Sequence, residues 1–461
     1  MIATTSNRLQ IIRSEFSRSW QAGENLFKNK SKMQNFFAIT SLIAACLLVY
    51  WPVFTHQFQM KWDDQWVVIN QYTNDGFTKE NLHKILTEFF HGQYAPVNEL
   101  FYLVIHKFFG FDPFWFHSAS LAVHICNVLL VFFLFRKLLK SSSQFDGASI
   151  FRIAFITSLF MSIHPFLVEA VSWMAASKCI LFALFYILAL HTYVNYLITQ
   201  KLWQYGLTII LFILSFGAKE QAVTMPVCLL LFDFVLKRDL KSNRVWSEKL
   251  PFFCLSICFA IITFYSQAYN GEGILSSQTH YPFYQNLVFA CYTITEYVIK
   301  CILPIRLSYL YPFPNLPGEQ MPLYLWLYPF ILIFVILAFW KFWTKTWVLF
   351  GVAFFLIQIS IATNIIPTSR FAIVADRYVY LPSIGIFFLI AYLLDLALQT
   401  KSKINYLLLG CTLVYFTSLS IYARQRCNIW HNSYTLKKEL NQELKSRNDY
   451  NEWIKKKGIS N

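Results

Sequence analysis

The sequence predicts an all-α polytopic membrane protein, and three observations indicate this class. Of its 461 residues, 56% are hydrophobic and only 14% are charged, against about 25% charged residues in an ordinary soluble domain. Aromatic residues make up 19% of the chain, while Gly and Pro number only 14 and 15, which excludes disordered and fibrous classes. Apolar runs recur along the chain, and most approach the length that a bilayer requires.

The net charge of +15 agrees with this class. Excess Lys and Arg in a membrane protein gather in the cytoplasmic loops and set its orientation, so nucleic acid is not a predicted partner. The ten cysteines lie almost entirely inside apolar runs, without the paired spacing of a disulfide framework or a zinc site. They are predicted to be small core residues.

The chain begins with a basic segment, residues 1–35, which is predicted to be a cytoplasmic tail. The first long apolar stretch starts at Phe36 and lacks a small-residue cleavage pattern after it, so it is predicted to remain as a signal anchor. Residues 36–422 form the predicted transmembrane domain, and residues 423–461 form a short basic tail.

Eleven membrane spans are predicted from apolar length and from the alternation of basic loops. They are residues 36–54, 114–135, 149–163, 179–198, 203–218, 222–236, 250–268, 324–340, 346–361, 378–398 and 404–422. This arrangement leaves three connections on the outer side: residues 55–113, residues 164–178 and the Lys219–Glu220 corner.

Residues 286–303 leave the count open. The segment is apolar enough to span, but Tyr292, Thr295, Glu296 and Lys300 form one polar helical face that cannot meet lipid. If the segment is re-entrant or packed against the bundle, there are eleven spans and the C-terminal tail lies outside. If it crosses, there are twelve and the tail lies inside. Eleven is the favoured prediction.

The first outer loop, residues 55–113, is predicted to contain two amphipathic helices. Residues 77–90 and 97–109 both show apolar positions at three and four spacing with interspersed polar residues. Helices of this kind lie in the membrane interface.

Four groups of polar residues fall on the outer side of this topology. They are Asp63 with Asp64, then His164 with Glu169 and Lys178, then Lys219 with Glu220, and finally Arg370 with Asp376 and Arg377. Taken singly, the acid pair is explained equally well by a solvated loop, and each of the other three groups is explained better by a snorkelling helix end or a structural ion pair. Taken together, two carboxylates and several cations on one face could bind an anion and activate a hydroxyl.

Several ordered motifs between Trp62 and Leu394 carry a resemblance. They are Trp62-Asp63-Asp64 with Asn70, His164-Pro165-Phe166-Leu167-Val168-Glu169-Ala170-Val171-Ser172-Trp173 with Lys178, Ala218 to Pro226, Glu248-Lys249-Leu250-Pro251-Phe252, Tyr311-Pro312, and Ala375 to Pro382. With these motifs the chain resembles the membrane part of the transmembrane and tetratricopeptide-repeat protein O-mannosyltransferases and their bacterial relatives.

The resemblance implies the GT-C fold and an active site at the outer face of the membrane. Such enzymes transfer a sugar from a polyprenyl-phosphate carrier to an acceptor, here mannose to a Ser or Thr hydroxyl of a protein. By similarity, Asp63 is the predicted catalytic base and Asp64 the supporting acid. A base on the face of the sugar opposite the leaving phosphate predicts inversion at the anomeric carbon.

The departing phosphate requires cations, and Arg377, Lys178 and Arg370 are the candidates for this role. The predicted supporting residues are His164, Glu169, Lys219, Glu220 and Asp376. A monophosphate donor does not require a metal to hold it, so no obligate metal or other cofactor is predicted. His56, His83 and His91 keep a metal site open as an alternative.

Two departures from the family pattern affect the interpretation. Bacterial relatives commonly have Arg-Lys-Asp where this chain has Ser177-Lys178-Cys179, so one carboxylate is missing. Only 39 residues follow Tyr422, whereas a stable repeat array needs about three repeats of about 34 residues. The tail is interpreted as the lead-in helix without its array.

These departures leave two alternatives to the transferase. One is a catalytically idle GT-C-like subunit that acts as a scaffold in a larger membrane complex, and the other is a lipid-carrier transporter. The predicted partners are membrane lipid, a lipid-linked sugar, an acceptor protein and, for the scaffold, other membrane subunits. A bacterial inner membrane is the favoured location, with the endoplasmic reticulum membrane as the alternative.

Overall fold

A computed structural model describes residues 32–268, 281–315, 317–365, 372–400 and 404–445. These residues are mainly helical, which confirms the predicted all-α class. The helix that begins the described chain, α1, is Lys32–Thr55. The first outer loop then contains four helices: α2 (Asp64–Val67), α3 (Gln71–Asn74), α4 (Lys79–Thr87) and α5 (Pro96–Phe109).

Two of these loop helices fall within the predicted amphipathic segments, and their ends have local causes. The side chain of Thr78 accepts the backbone N–H of Asn81 and so caps α4. Pro96 occupies the first turn of α5, where its missing N–H costs nothing. Gly110 ends α5 with a φ of 60°, a conformation that glycine adopts without strain.

The helices of the central region follow in chain order. They are α6 (Pro113–Ser142), α7 (Gly147–Ile163), α8 (Val168–Ser172), α9 (Ser177–Thr199), α10 (Leu202–Ala218), α11 (Met225–Val235) and α12 (Asn243–Ala268). The carboxylates of Asp112 and Asp146 cap α6 and α7 by accepting the backbone N–H groups of Phe114 and Ser149. Between α7 and α9 the chain makes two 3-10 turns, Pro165–Leu167 and Met174–Ala176.

In the C-terminal region, the described residues form six more α-helices and one small sheet. The helices are α13 (Phe283–Ile302), α14 (Leu327–Ala338), α15 (Thr346–Ile359), α16 (Ser383–Leu398), α17 (Ile404–Ile429) and α18 (Ser433–Lys445). Strands β1 (Tyr311–Pro312) and β2 (Ala372–Val374) pair antiparallel, with Tyr311 opposite Val374. This sheet joins the segment after α13 to the segment before α16.

Among the residues that the structure describes, five helices are long and apolar enough to cross a membrane: Lys32–Thr55, Pro113–Ser142, Met174–Thr199, Asn243–Ala268 and Asn405–Ile429. A sixth is formed if α7 and Pro165–Ser172, which meet at an angle of 58°, count as one broken span. Four shorter apolar helices accompany them: Leu202–Ala218, Leu323–Ala338, Thr346–Ala362 and Ser383–Leu398. The chain is therefore compatible with a multi-pass membrane protein.

Close helix contacts depend on small residues. Gly351 of α15 faces Gly385 of α16, and a Cβ added at Gly351 would lie 2.9 Å from the carbonyl oxygen of Gly385. The two backbones approach at a distance that only glycine permits. Phe350 and Phe388 pack edge to face beside this crossing, with ring centroids 5.3 Å apart.

The polar face of α13 contacts protein. Lys300 pairs with Glu296 at 2.8 Å and lies 5.3 Å from the ring centroid of Tyr311 in β1. The hydroxyl of Tyr297 lies 3.0 Å from the backbone N–H of Ala375, just after β2. The helix thereby supports the turn that precedes α16.

The helix that contains the last predicted span extends beyond residue 422, because α17 continues to Ile429. The added turns carry Arg426 and Cys427, both buried. Both side chains are surrounded by protein. The length of an apolar run in the sequence gives no indication of such an environment. Beyond α17 the chain returns to the first outer loop: the backbone N–H of Gln57 donates to the carbonyl of His431 at 2.8 Å.

A buried ionic network holds α9, α11 and α12 together on the side predicted to be cytoplasmic. Asp233 of α11 pairs with Lys249 of α12 at 2.6 Å and with Arg238 at 3.0 Å. Arg238 also pairs with Glu248 at 2.7 Å, and the Tyr193 hydroxyl donates to Asp233 at 2.6 Å. Each buried charge thus has a partner, which burial requires.

Candidate active site

Asp64 anchors the start of the first outer loop. Its carboxylate is fully buried and accepts two backbone N–H groups, from Gln59 at 2.7 Å and from Ala175 at 2.9 Å. Because Ala175 belongs to the turn before α9, these bonds tie the loop to the bundle. Asp64 therefore has a structural role, because each of its carboxylate oxygens accepts a backbone N–H.

Asp63 occupies the neighbouring position in an unusual backbone conformation. Its φ is 124° and its ψ is −25°, a region that costs a non-glycine residue about 1–3 kcal/mol. The indole N–H of Trp66 donates to its carboxylate at 3.2 Å. The side chain remains only partly buried. The hydrogen bonds of Asp64 on one side and of Trp66 on the other hold Asp63 in this strained conformation.

Burial raises the pKa of Asp63 above its usual value of 3.8. The hydrogen bond from Trp66 and the positive charges of Arg377 and Lys178 oppose this shift. Burial also raises the pKa of Asp64, to about 6, against the hydrogen bonds from Gln59 and Ala175. The charges of Arg377 and Lys178, both distant in the sequence, therefore act on the carboxylate of Asp63.

Arg377 forms a buried ion pair. Its guanidinium donates to the carboxylate of Glu169 at 2.7 Å, and the side chains of the two residues are 21% and 1% exposed. The guanidinium carbon lies 5.3 Å from the ring of Trp173 and 5.0 Å from that of Tyr378. The sequence did not indicate this pairing across 208 positions.

Asp376 does not orient Arg377, although the two are adjacent. Its carboxylate accepts the Tyr311 hydroxyl at 2.8 Å and lies 3.6 Å from the guanidinium of Arg426. Burial raises the pKa of Asp376 well above its usual value. Asp376 thus links β1 to α17, and Glu169 is the residue that holds Arg377.

Two lysines add positive charge beside Arg377. The Lys178 ammonium donates to the amide oxygen of Gln93 at 2.7 Å. The Lys219 ammonium is buried, lies 3.2 Å from Cys179 Sγ and sits 4.6 Å from the ring centroid of Tyr378. Neither lysine forms an ion pair with a carboxylate in the part of the chain that the structure describes.

Glu220 supplies a more distant negative charge, because it acts electrostatically on both Lys178 and Lys219. The thiol of Cys179 takes the hydrogen bond from Lys219. The described residues therefore bring Asp63, Lys178, Lys219 and Arg377 to one region, with Glu169 and Glu220 beside them.

His164 lies in the core below this region. Its ring packs 4.9 Å from that of Phe387, and its Nδ1 accepts the backbone N–H of Phe166 at 3.3 Å. It therefore caps the turn that leads to Glu169 and makes no contact with the lysines. Arg370, the remaining predicted phosphate ligand, lies outside the described residues.

Glu99 is a site residue that the sequence reasoning did not select. Its carboxylate accepts the amide N–H of Asn70 at 2.8 Å. Burial raises the pKa of Glu99 to about 7, and the positive charge of Lys178 opposes this shift. The sequence pattern does indicate that Glu99 is near the protein interior. It precedes the buried Tyr102 and Leu103 by three and four positions, so it lies on the same face of α5.

Within the described residues, no group of three or more His, Cys, Asp or Glu side chains is arranged to hold a metal ion. The ring of His56 packs against those of His117 and His431, with centroids 5.4 and 5.8 Å away. The ring of His91 packs 4.9 Å from that of Trp66. The prediction that no metal is obligate stays a prediction.

Comparison with protein-family models and with curated proteins finds no match to the chain. The function of the protein is therefore inferred from its motifs and from the arrangement of its side chains.

Proposed function

We propose that the protein is an integral-membrane glycosyltransferase. In this proposal it moves a sugar, mannose by the family resemblance, from a polyprenyl-phosphate carrier to a Ser or Thr hydroxyl of an acceptor protein on the outer face of the membrane. The observation that carries the proposal is the strained backbone of Asp63, whose carboxylate is acted on by the positive charges of Arg377 and Lys178. Strained backbone and unpaired charge are features that concentrate at functional sites.

The chemistry requires both parts of this arrangement. The anomeric carbon exchanges its bond to the phosphate oxygen for one to the acceptor oxygen, and polyprenyl phosphate leaves with the electron pair. Asp63 takes the proton of the acceptor hydroxyl, and the cations stabilise the charge that grows on the phosphate. Attack opposite the leaving phosphate inverts the anomeric carbon.

Among the cations, Lys178 is favoured as the direct ligand of the phosphate. The charge of Arg377 is already balanced by Glu169 at 2.7 Å, while Lys178 donates to a neutral amide. The buried ammonium of Lys219, which contacts Cys179, adds further positive charge. In this ranking Arg377 is a positioning residue, whose guanidinium contacts the rings of Trp173 and Tyr378.

The proposed architecture is a GT-C bundle of eleven spans with both the first outer loop and the C-terminal tail outside. Support comes from the contacts between that loop and the residues after α17, since the side chain of Gln59 donates to the carbonyl of Trp430 at 2.7 Å. This contact supports the proposal that both segments lie on one side of the membrane. A bacterial inner membrane is the proposed location.

Cysteine labelling tests this topology. In a variant without the exposed native cysteines, Asp75→Cys and Tyr434→Cys should both react with a membrane-impermeant thiol reagent added to intact cells. Lys241→Cys, in the predicted cytoplasmic loop, is the matched control and should react only after permeabilisation. Asp75, Tyr434 and Lys241 are exposed. Labelling of Tyr434→Cys only after permeabilisation would contradict the eleven-span arrangement.

The function is tested with the purified protein and a reconstituted assay. Native mass spectrometry should detect a co-purified polyprenyl phosphate, and the protein in lipid vesicles should transfer mannose from polyprenyl-phosphate mannose to a Ser- or Thr-containing peptide. Product analysis should show inversion at the anomeric carbon. Carrier-free protein without transfer to any hydroxyl acceptor would instead favour the scaffold subunit.

A further inference from the structure

The junction between α17 and α18 holds the segment of the first outer loop that leads to the acid pair. The side chain of Gln59 donates to the carbonyl of Trp430 at 2.7 Å, and the backbone N–H of Lys61 donates to the hydroxyl of Ser433 at 3.2 Å. The backbone N–H of Gln59 also donates to the carboxylate of Asp64 at 2.7 Å. Gln59 therefore connects Trp430 to the acid pair through two hydrogen bonds.

Trp430 also contacts the segment that leads to α9. Its ring is fully buried and stacks on that of Trp173, with centroids 5.5 Å apart and an angle of 20° between the planes. The Trp173 ring in turn lies 5.3 Å from the guanidinium carbon of Arg377. Three residues before Trp430, the thiol of Cys427 lies 3.4 Å from the hydroxyl of Ser172. One aromatic ring thus separates Trp430 from the ion pair of Arg377.

A second aromatic contact joins Trp430 to the acid pair. The ring of Tyr309, which precedes β1, lies 6.0 Å from that of Trp430 and 5.0 Å from that of Trp62. Trp62 is the residue directly before Asp63. Ring packing therefore supports the strained backbone of Asp63 from the side of Trp430, in addition to the hydrogen bonds through Gln59.

These contacts give both halves of the proposed site one common support. Asp63 belongs to one half, and Arg377 with Glu169 belongs to the other. A strained backbone such as that of Asp63 persists only where its surroundings over-determine it. A misplacement of about 1 Å in the reacting groups can cost about 10²-fold in rate. A side chain that fixes the two halves relative to each other therefore acts on the rate as well as on stability.

We propose that Trp430 is a positioning residue, which holds the carboxylate of Asp63 and the guanidinium of Arg377 in fixed relative positions. The inference rests on the proposed transferase function and adds to it a role for the chain beyond residue 422. A tryptophan that only fills the core would affect stability alone, so the two roles are distinguished by kinetics.

Trp430→Phe tests this role, and Trp347→Phe is the matched control. The indole N–H of Trp430 donates to no group in the part of the chain that the structure describes, so Phe removes ring area without breaking a hydrogen bond. Trp347 of α15 is also buried, and its indole donates to Gln144, away from the site, at 2.7 Å. In steady-state transfer by the full-length protein, Trp430→Phe should lower kcat by about 10²-fold. Trp347→Phe should leave kcat unchanged, although it costs at least as much stability.

The acid limb of the pH profile gives a readout that a purely structural role would not move. The positive charges of Arg377 and Lys178 lower the pKa of Asp63 against the effect of burial. When Trp430→Phe lets Asp63 and Arg377 move apart, the lowering by Arg377 weakens and the pKa of Asp63 rises. The midpoint of the acid limb of kcat/KM should therefore move to higher pH in Trp430→Phe and stay in place in Trp347→Phe.

Gln59→Met is a second variant that leaves the ring of Trp430 intact. It removes the hydrogen bond between the loop and the Trp430 carbonyl, so kcat and the acid limb should change in the same directions, even where Trp430→Phe does not fold. Wild-type kcat and an unmoved acid limb in Gln59→Met and Trp430→Phe would overturn the positioning role and leave the proposed function standing. Absence of transfer by wild type would overturn the proposed function and this role with it.

Discussion

We expect Asp63→Asn to reduce sugar transfer by about 10²–10⁴-fold, the usual contribution of a general base. The amide has nearly the same shape as the carboxylate but cannot take a proton from the acceptor hydroxyl. Its oxygen can still accept the indole N–H of Trp66, which is the bond that Asp63 makes now. The melting temperature should therefore stay close to that of wild type.

Asp64→Asn is the matched control, because the same chemical change is made one residue along the chain. Asp64 accepts two backbone N–H groups with its two oxygens, and an amide has only one oxygen for them. The stranded N–H should cost about 1–3 kcal/mol of stability. Transfer at a near wild-type rate by Asp63→Asn, measured with purified lipid-linked sugar, would refute the base assignment.

The pH profile of transfer gives a second readout for Asp63. Only the ionised carboxylate can act as a base, so activity should be present above its folded-state pKa and lost as the pH falls through it. Burial raises that pKa above 3.8, so the acid limb of kcat/KM should have its midpoint above 3.8. Residual activity of Asp63→Asn should lack this limb.

Apolar length predicted the all-α membrane class but not every boundary. Most predicted spans coincide with helices, since a bilayer selects long apolar runs regardless of their partners. Apolar length gave no indication that α17 continues past residue 422, to a turn where Arg426 is buried by protein. It also left α13 undecided, because its polar face has partners in β1 and after β2 that lie far away in the sequence.

The site was predicted by residue type and resemblance, while its pairing came only from the fold. The sequence indicated that one acid of the Asp63–Asp64 pair would face the acceptor. It did not indicate that Ala175, 111 positions away, would hold Asp64, or that Glu169 would take Arg377 in place of Asp376. Ion pairs between distant segments depend on how the helices pack. The local pattern of residues along the sequence carries no information about that packing.

The pairing of Arg377 changes what its removal would mean. Arg377→Ala leaves the 1% exposed carboxylate of Glu169 without its partner, and breaking a buried pair in this way costs about 3–5 kcal/mol of stability. Activity and melting temperature should then fall together. Arg377→Lys keeps the charge but not the planar guanidinium between Trp173 and Tyr378, so it should be milder in stability and still impaired in turnover.

Lys178→Met should instead separate catalysis from stability. The Lys178 ammonium donates its hydrogen bond to the neutral amide of Gln93. Removing the ammonium therefore does not break an ion pair with a carboxylate. Turnover should fall by about 10²–10³-fold, as for the loss of one group that stabilises charge in the transition state. The melting temperature should change little, and the loss should persist at saturating acceptor.

The double variant Glu169→Gln with Arg377→Gln decides between the two cations. It removes the ion pair as a unit, so no buried charge is stranded and much of the stability lost in Arg377→Ala should return. If Lys178 binds the phosphate, this variant should retain more turnover than Lys178→Met in a kinetic series that varies the lipid-linked donor. Wild-type turnover and donor dependence in Lys178→Met, with turnover lost in the double variant, would assign the phosphate to Arg377. The buried carboxylate of Glu169 would then be the group that holds the guanidinium ready for the leaving phosphate.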